Sequence, residues 1–357
     1  MKIVIIGGGV AGLAIGLQLA EAGQEVTVLE RAQPGGGATW ASAGMLAVTA
    51  EALDASSEEM EFASYSNSLW PDFAKKIEAL SGRRIGYSRP GALILAEDAI
   101  ALGQLEQRAV EHGTEILTGD QLRALAPLAA GSVGGLWSPQ EAIVDNRALG
   151  LALAIALQKA GGRLLANEAV VRIERRGGRA AVAHTPYGLY HANSFVLAAG
   201  AWSSLLEETV APITPVKGQM ILLTPPAGVS PPAPVIWGNG IYAVPRGSGL
   251  AIGATIEEVG FDTALTDAAR ESLHRAAAEL LPALKQWTIS DQWAGLRPRA
   301  PDSLPMLGPT SVEGLWLASG QYRNGILFAP AVAENVADQI LGRANVIPAF
   351  DPRRFAP

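Results

Sequence analysis

The sequence predicts an α/β fold in which a Rossmann-like nucleotide-binding unit is interleaved with a unit rich in β-sheet. Three observations carry this. The chain opens as strand, glycine turn, helix and strand; its middle alternates with the period of a β-meander; and its end returns to strand, glycine turn and helix. At 357 residues the chain is too long for one small core, so one large α/β unit or two interleaved domains is expected.

Residues 2–6, "KIVII", read as a buried parallel strand, and "VAGLAIGLQLAEAG" as a helix closed by Gly23. "EVTVLE" follows as a second strand ending at Glu30, and "RAQPGGGATWASAGML" as a loop of glycine and small residues. Apolar periodicity predicts helices near 59–80, 99–112 and 147–160. The stretch "LLANEAVVRIERRGGRAAVAHTPYGLYHANSFVLAAG" reads as the meander, with Gly177 and Gly178 at a hairpin turn. Strands are expected near 213–223, 241–253 and 287–297, with the proline-rich 224–234 as a loop, and "GLWLASGQYRNGILFAPAVAENVADQIL" as the final strand, turn and helix.

Composition narrows the function. The sequence is 49% hydrophobic and only 17% charged, with 40 glycines, a compact enzyme-like profile. A formal net charge of −7 argues against nucleic acid or an anionic membrane as partner. No apolar run reaches membrane-spanning length, and the apolar start is accounted for as strand, turn and helix rather than as a signal peptide, so a cytoplasmic protein is expected. The chain has no cysteine, which removes disulfides, thiolate metal sites and thiol nucleophiles, so any redox chemistry must come from a bound cofactor. Its four histidines, His112, His184, His191 and His274, lack metal-like spacing, and no metal is expected.

Gly7, Gly9 and Gly12 form G-x-G-x-x-G between a strand and a helix. Gly7 permits the tight turn, Gly9 the close approach of a pyrophosphate, and Gly12 the packing of helix on strand. The helix N-terminus offers N–H groups and partial positive charge to the phosphates. Glu30, at the end of the second strand, is placed to accept from the ribose hydroxyls. A glycine turn serving packing alone does not explain Glu30. An NAD dehydrogenase would continue with further βα units, whereas here a glycine-rich loop and a meander follow. Two later glycine turns, at Gly200 and Gly320, bring other parts of the chain back to the same molecule, which favours FAD lying extended across the sheet.

Arg297, stiffened by Pro298, ends a strand where a guanidinium can grip a carboxylate bidentately; Tyr242 lies on a strand able to deliver its hydroxyl to the same group. Arg323 follows the glycine turn at 320, where α/β sheets place ligand-binding residues, and reads as a buried cation paired by substrate or a carboxylate. The helix from about Ala329 is expected to aim its N-terminus at the flavin. The bland alternatives are a surface ion pair for Arg297, a core aromatic for Tyr242 and an exposed loop arginine for Arg323. Arg246, Arg299 and Lys217 read as structural or surface residues, with a place near the flavin edge as the alternative for Lys217.

The segments "IGGGVAGLAIG", "ATWASAGML", "VLAAGAWS", "PVKGQ", "IYAVPR", "WAGLRPRAPDSLPMLGP" and "GQYRNGILFAPA" resemble the D-amino-acid-oxidase-type FAD oxidoreductases, and among them the glycine oxidase branch, nearly end to end. The resemblance implies the glutathione-reductase-type FAD fold. It also implies oxidation of a small amino acid to an imine, with electrons passed to O₂ to give H₂O₂. The bacterial branch commonly supplies glycine imine for the thiazole of thiamine. With no cysteine to tether it, FAD is expected to bind non-covalently. The implied partners are a small amino-acid substrate and O₂, and a homo-oligomer is expected. The resemblance matches Val10, Ala11, Glu30 and Arg31 to positions around the pyrophosphate and adenosine, and Val170 to a backbone contact on the adenine side. It matches Ala38, Thr39, Ala43, Gly44 and Met45 to a loop near the flavin. Gln321, Tyr322, Arg323, Asn324, Gly325, Ile326 and Leu327 match the segment along the isoalloxazine, and Tyr242, Arg297 and Arg323 the substrate positions. Gln321 and Gly240 depart from the family, each standing where histidine is usual. Residues 1–85, 145–205 and 295–357 are expected to form a discontinuous FAD-binding domain, and 86–144 with 206–294 the substrate-binding domain. A quinone-linked D-amino-acid dehydrogenase and a non-catalytic FAD-binding subunit carry nearly the same motifs.

Overall fold

The computed structural model describes residues 1–51, 56–112, 114–129, 131–207 and 211–355. The side chain of His112 lies outside what is described.

Strand Lys2–Ile6 lies at the centre of a six-stranded sheet, beside Glu25–Leu29 and Ser194–Leu197. Arg163–Leu165 and Leu315–Ser319 extend it in parallel, and Met306–Pro309 closes one edge antiparallel. The strand is apolar and buried from Ile3 to Ile6 because both faces are covered. Ile3 and Ile5 pack against helices Val10–Glu21, Asn146–Lys159 and Ala329–Ile340. Val4 and Ile6 pack towards the antiparallel strands Arg172–Arg176, Arg179–His184 and Leu189–His191. Gly177 and Gly178, both at positive φ, make the first hairpin turn of that meander as expected.

The second sheet has eight strands in the order Thr288–Arg299, Thr214–Thr224, Gly249–Gly253, Ile241–Arg246, Val235–Gly238, Ala92–Ala96, Gly134–Ser138 and Glu115–Thr118. Among the described residues, its one parallel pair joins Val235–Gly238 to Ala92–Ala96. Along Thr214–Thr224, Ile221 and Leu223 face helix Asp267–Leu280, whereas Met220 and Leu222 face the other way, towards Ala41 and Trp293.

The expected helices are found at Ser57–Ser81, Ala99–His112 and Asn146–Lys159. Two features differ from expectation. The glycine-rich loop after Glu30 contains a short helix, Gly37–Ala41, pressed so closely on the sheet that a Cβ at Gly295 would overlap Ala41. Helix Asp267–Leu280 was not foreseen, although Thr266 caps it and its buried residues Ala269, Leu273, Ala277 and Leu280 recur at helical spacing.

Candidate functional site

A cavity of about 860 Å³ is lined by residues of both sheets. At one end lies the glycine turn. Gly7 has φ +113°, and a Cβ there would overlap the Ala198 carbonyl; a Cβ at Gly12 would overlap the Gly7 carbonyl. The backbone can hold this turn only without those side chains. Thr39, on the short helix, accepts the Val10 N–H through Oγ1 at 2.9 Å and so caps the first turn of helix Val10–Glu21. Glu30 Oε2 accepts the Gly8 N–H at 2.7 Å and Oε1 accepts the Ala32 N–H at 2.8 Å, which fixes the carboxylate at the cavity wall while each oxygen keeps further acceptor capacity. The Arg31 guanidinium stacks 3.4 Å from the Trp202 ring centroid; burial lowers its pKa.

At the other end the wall is one face of the eight-stranded sheet. Strand pairing sets Ile94, Trp237, Tyr242, Gly253, Met220 and Trp293 in a single transverse row. Tyr242 leans over Gly253, where a Cβ would lie 2.6 Å from the hydroxyl. Arg297, four residues beyond Trp293 on the same face, lays its guanidinium over Gly218, where a Cβ would overlap it. Nη1 donates to the Thr255 carbonyl at 3.1 Å and to that of Lys217 at 3.5 Å. Burial raises the pKa of Tyr242, and the charge and hydrogen bond of Arg297 oppose that rise. The hydroxyl is a neutral donor at ordinary pH.

The segment 320–328 closes the site from the six-stranded sheet. Gly320 at φ +81° and Tyr322 at φ +45° turn the chain, and the Tyr322 N–H donates to the Pro298 carbonyl at 3.0 Å, tying this loop to the strand that carries Arg297. Arg323 is exposed at the cavity wall, not buried as expected, because the two positive-φ residues swing it outwards while Ile326, Leu327 and Phe328 turn into the core. Asn324 donates to Glu59 at 3.1 Å; burial raises the Glu59 pKa, with Asn324 and the Arg323 charge pulling it back. Helix Ala329–Ile340 starts behind the cavity wall. The turn Asn324–Phe328 separates it from the cavity, and the Ala331 N–H is directed to Ser66 Oγ at 3.4 Å.

Of the residues expected at the site, Gly7, Gly9, Val10, Ala11, Glu30, Arg31, Ala38, Thr39, Ala43, Gly44, Met45, Val170 and Gly200 line the cavity. So do Tyr242, Arg297, Gln321, Tyr322, Arg323, Asn324, Gly325 and Ile326. Gly12, Gly320 and Leu327 do not. Gly12 and Gly320 shape the backbone behind the wall, and the Leu327 carbonyl is taken by Ser66 Oγ at 2.7 Å and Trp70 Nε1 at 2.9 Å. Gly240 lines the cavity at an exposed hairpin tip, where Asn239 and Gly240 both have positive φ; the turn itself calls for glycine there. Lys217 is only 1% exposed and points away from the cavity, which corrects both the surface reading and the flavin-edge alternative. Residues not foreseen include Ile94, Trp202, Met220, Trp237 and Ile256, which enter the wall through strand register or a long loop, with no local motif to mark them.

Among the described residues, two buried donors in the wall, Gln321 Nε2 and Trp237 Nε1, find no hydrogen-bond partner. A bare glycine turn, a fixed carboxylate near the adenosine position and orphaned donors at the opposite wall together fit an adenine dinucleotide with a polar ring system.

The chain belongs to the family described as FAD dependent oxidoreductase (DAO), whose model matches residues 2–339. It is 34% identical to a glycine oxidase of Pseudomonas aeruginosa over 373 residues, covering 100% of this chain and 98% of that protein. It is 38% identical to a bifunctional protein ThiO/ThiG of Synechocystis over 369 residues, covering 99% of this chain but 54% of that protein; the chain thus spans about half the length of such bifunctional relatives. The crystal structure of glycine oxidase from Geobacillus kaustophilus superposes with a TM-score of 0.92 at 31% identity, covering 99% of this chain and 98% of the other.

Proposed function

We propose that this protein is an FAD-dependent amino-acid oxidase of the glycine oxidase type. It would oxidise the α-carbon–nitrogen bond of glycine or another small amino acid or amine to an imine, which water hydrolyses to an oxo acid and ammonia or amine. The observation that carries this reading is the placing of Arg297 and Tyr242 over the bare Gly218 and Gly253, on the cavity wall opposite the glycine turn. Bound FAD supplies the acceptor for a hydride from the α-carbon, with O₂ as the final acceptor and H₂O₂ as product.

The protein's own part is positioning. Nη1 of Arg297 is held by two backbone carbonyls, so the guanidinium edge formed by Nε and Nη2 is the one that meets a substrate carboxylate. Tyr242 donates its hydroxyl proton in a hydrogen bond to the same carboxylate, and Arg323 adds positive charge from the exposed side of the wall. Ile94, Met220, Trp237 and Ile256 keep water from the reacting carbon. One carboxylate clamp and one direction for the departing hydrogen leave a single side of the α-carbon open to a substituent. One hand of amino acid is therefore accepted, and the family resemblance makes it the D form. This reading keeps residues 1–85, 145–205 and 295–357 as the cofactor domain and 86–144 with 206–294 as the substrate domain. It makes the enzyme a cytoplasmic homo-oligomer, with glycine imine serving thiamine thiazole formation.

The test is anaerobic bleaching of the flavin by glycine, sarcosine, D-alanine, D-proline and L-alanine, followed by readmission of air. Glycine, sarcosine and the small D-amino acids should bleach it, L-alanine should not, and air should restore the colour with peroxide formed. No bleaching by any amino acid would make the protein a non-catalytic FAD-binding subunit. Bleaching that air reverses only through an added quinone would make it a dehydrogenase.

A further inference from the structure

Strand Thr214–Thr224 carries the floor of the substrate end on one face and a buried polar network on the other. Gly218 and Met220 line the cavity, whereas Lys217 and Gln219, 1% and 0% exposed, face the segment between Gly253 and helix Asp267–Leu280. The Lys217 ammonium lies 2.9 Å from Glu257 Oε2 and donates to the Ala264 carbonyl at 3.1 Å, with Asp262 at 3.7 Å. Glu257 Oε1 accepts from Thr255 Oγ1 at 2.5 Å and from Gln219 Nε2 at 2.9 Å. The backbones of Lys217 and Glu257 exchange both hydrogen bonds at 2.9 Å. That backbone rung is where Arg297 is held: its Nη1 reaches the carbonyls of Lys217 and Thr255.

We propose that Lys217 and Glu257 are positioning residues for the Arg297 guanidinium, stapling from behind the sheet the two carbonyls that aim it at the substrate carboxylate. A buried ion pair commonly adds little to stability over an apolar pair of the same volume. What it adds here is one geometry. Without the staple, the segment after Gly253 can shift along the strand edge, carrying the Thr255 carbonyl with it, and a planar clamp loses its grip when its fork turns. This inference rests on the proposed reading of Arg297 as the carboxylate clamp.

The experiment uses the FAD-loaded protein and the double variant Lys217→Met with Glu257→Gln, which leaves neither charge of the pair buried alone. The readout is the dissociation constant for acetate, measured from its perturbation of the flavin spectrum, beside that for the neutral acetamide. Acetate binding should weaken about tenfold or more and acetamide binding by less than about twofold, with bound FAD and Tm close to wild type. The KM for glycine should rise with acetate's constant, kcat should change less, and Lys217→Arg should stay near wild type. Equal weakening of acetate and acetamide, or acetate binding like wild type, overturns the inference. Should the double variant fail to hold FAD, Glu257→Gln alone is measured in the same way. Loss of FAD from that variant too would make the pair a stability device and overturn the inference as well. If wild-type flavin responds neither to acetate nor to any amino acid, the clamp reading itself fails and this inference falls with it. If wild type responds and the variants match it, only this inference fails.

Discussion

At the adenosine end of the cavity, Gly7 and Gly12 lack side chains so that the backbone can fold tightly and leave room for another molecule. At the substrate end, Gly218 and Gly253 lack side chains so that the protein's own Arg297 and Tyr242 can lie flat across the sheet. The first use of glycine shapes the turn's own backbone: Gly7 is at φ +113°, and Gly12, inside helix Val10–Glu21, meets the Gly7 carbonyl. The second is made between strands: Gly218 and Gly253 each matter only through the side chain that crosses them from a neighbouring strand. Bareness near a site therefore has two meanings: room for a tight turn and a bound molecule at Gly7 and Gly12, and room for the protein's own side chains at Gly218 and Gly253.

Substitutions at the two ends should have separable effects. The widest effect, loss of the cofactor and with it of activity on every substrate, is expected for Gly12→Ala, whose methyl would overlap the Gly7 carbonyl. The turn must move, costing about 2–4 kcal/mol, and FAD should be lost, which flavin absorbance of the purified protein and thermal melting would detect. A yellow Gly12→Ala protein with unchanged Tm would show that the turn tolerates a side chain.

Arg297→Met should weaken kcat/KM for amino acids by about 2–5 kcal/mol, as expected when one partner of a desolvated charge pair is removed. Amines without a carboxylate should lose much less. Steady-state kinetics on matched pairs, such as glycine against methylamine, checks this, and equal losses would make Arg297 structural. FAD affinity should be unchanged, which separates the two ends.

The smallest effect concerns a join between them. Glu141, 2% exposed, accepts the Thr49 N–H through Oε1 at 2.6 Å and so holds the stretch whose Ala47, Ala50 and Glu51 line the cavity. Burial pushes its pKa up to about 7, against hydrogen bonds from the backbone of Thr49, Ala50 and Val48 that favour the carboxylate. The folded pKa is above the unfolded one, so the folded state holds the extra proton between about pH 4.5 and 7. This contribution is favourable at the acidic end of that window and is lost as pH rises through 7, about 2–3 kcal/mol between pH 5 and pH 8. Glu141→Gln keeps an acceptor for Thr49 and should flatten this part of the dependence, being close to wild type at pH 5 and more stable than it at pH 8. Denaturant melts at the two pH values check this, and a slope unchanged in the variant would assign the dependence elsewhere.

The nucleotide half is legible in the chain itself. Strand Lys2–Ile6, the glycine turn, helix Val10–Glu21 and Glu30 are neighbours in the chain, so hydrophobic period, conformational freedom and capping act within about 30 residues and can be read directly. The hairpin turn at Gly177 and Gly178 was legible for the same reason. Arg297, Tyr242 and Arg323 could be singled out by resemblance, but their surroundings could not. The three-dimensional arrangement alone sets Tyr242 in a row with Trp237, Gly253 and Met220, through register between strands distant in sequence. Only it showed Arg323 to be exposed, because positive φ at Tyr322, a residue whose type does not announce it, turns the chain outwards there. The burial of Lys217 was likewise hidden: one residue's shift along a strand separates the cavity face from the polar face, and the partner that makes its charge tolerable, Glu257, lies 40 residues away in sequence.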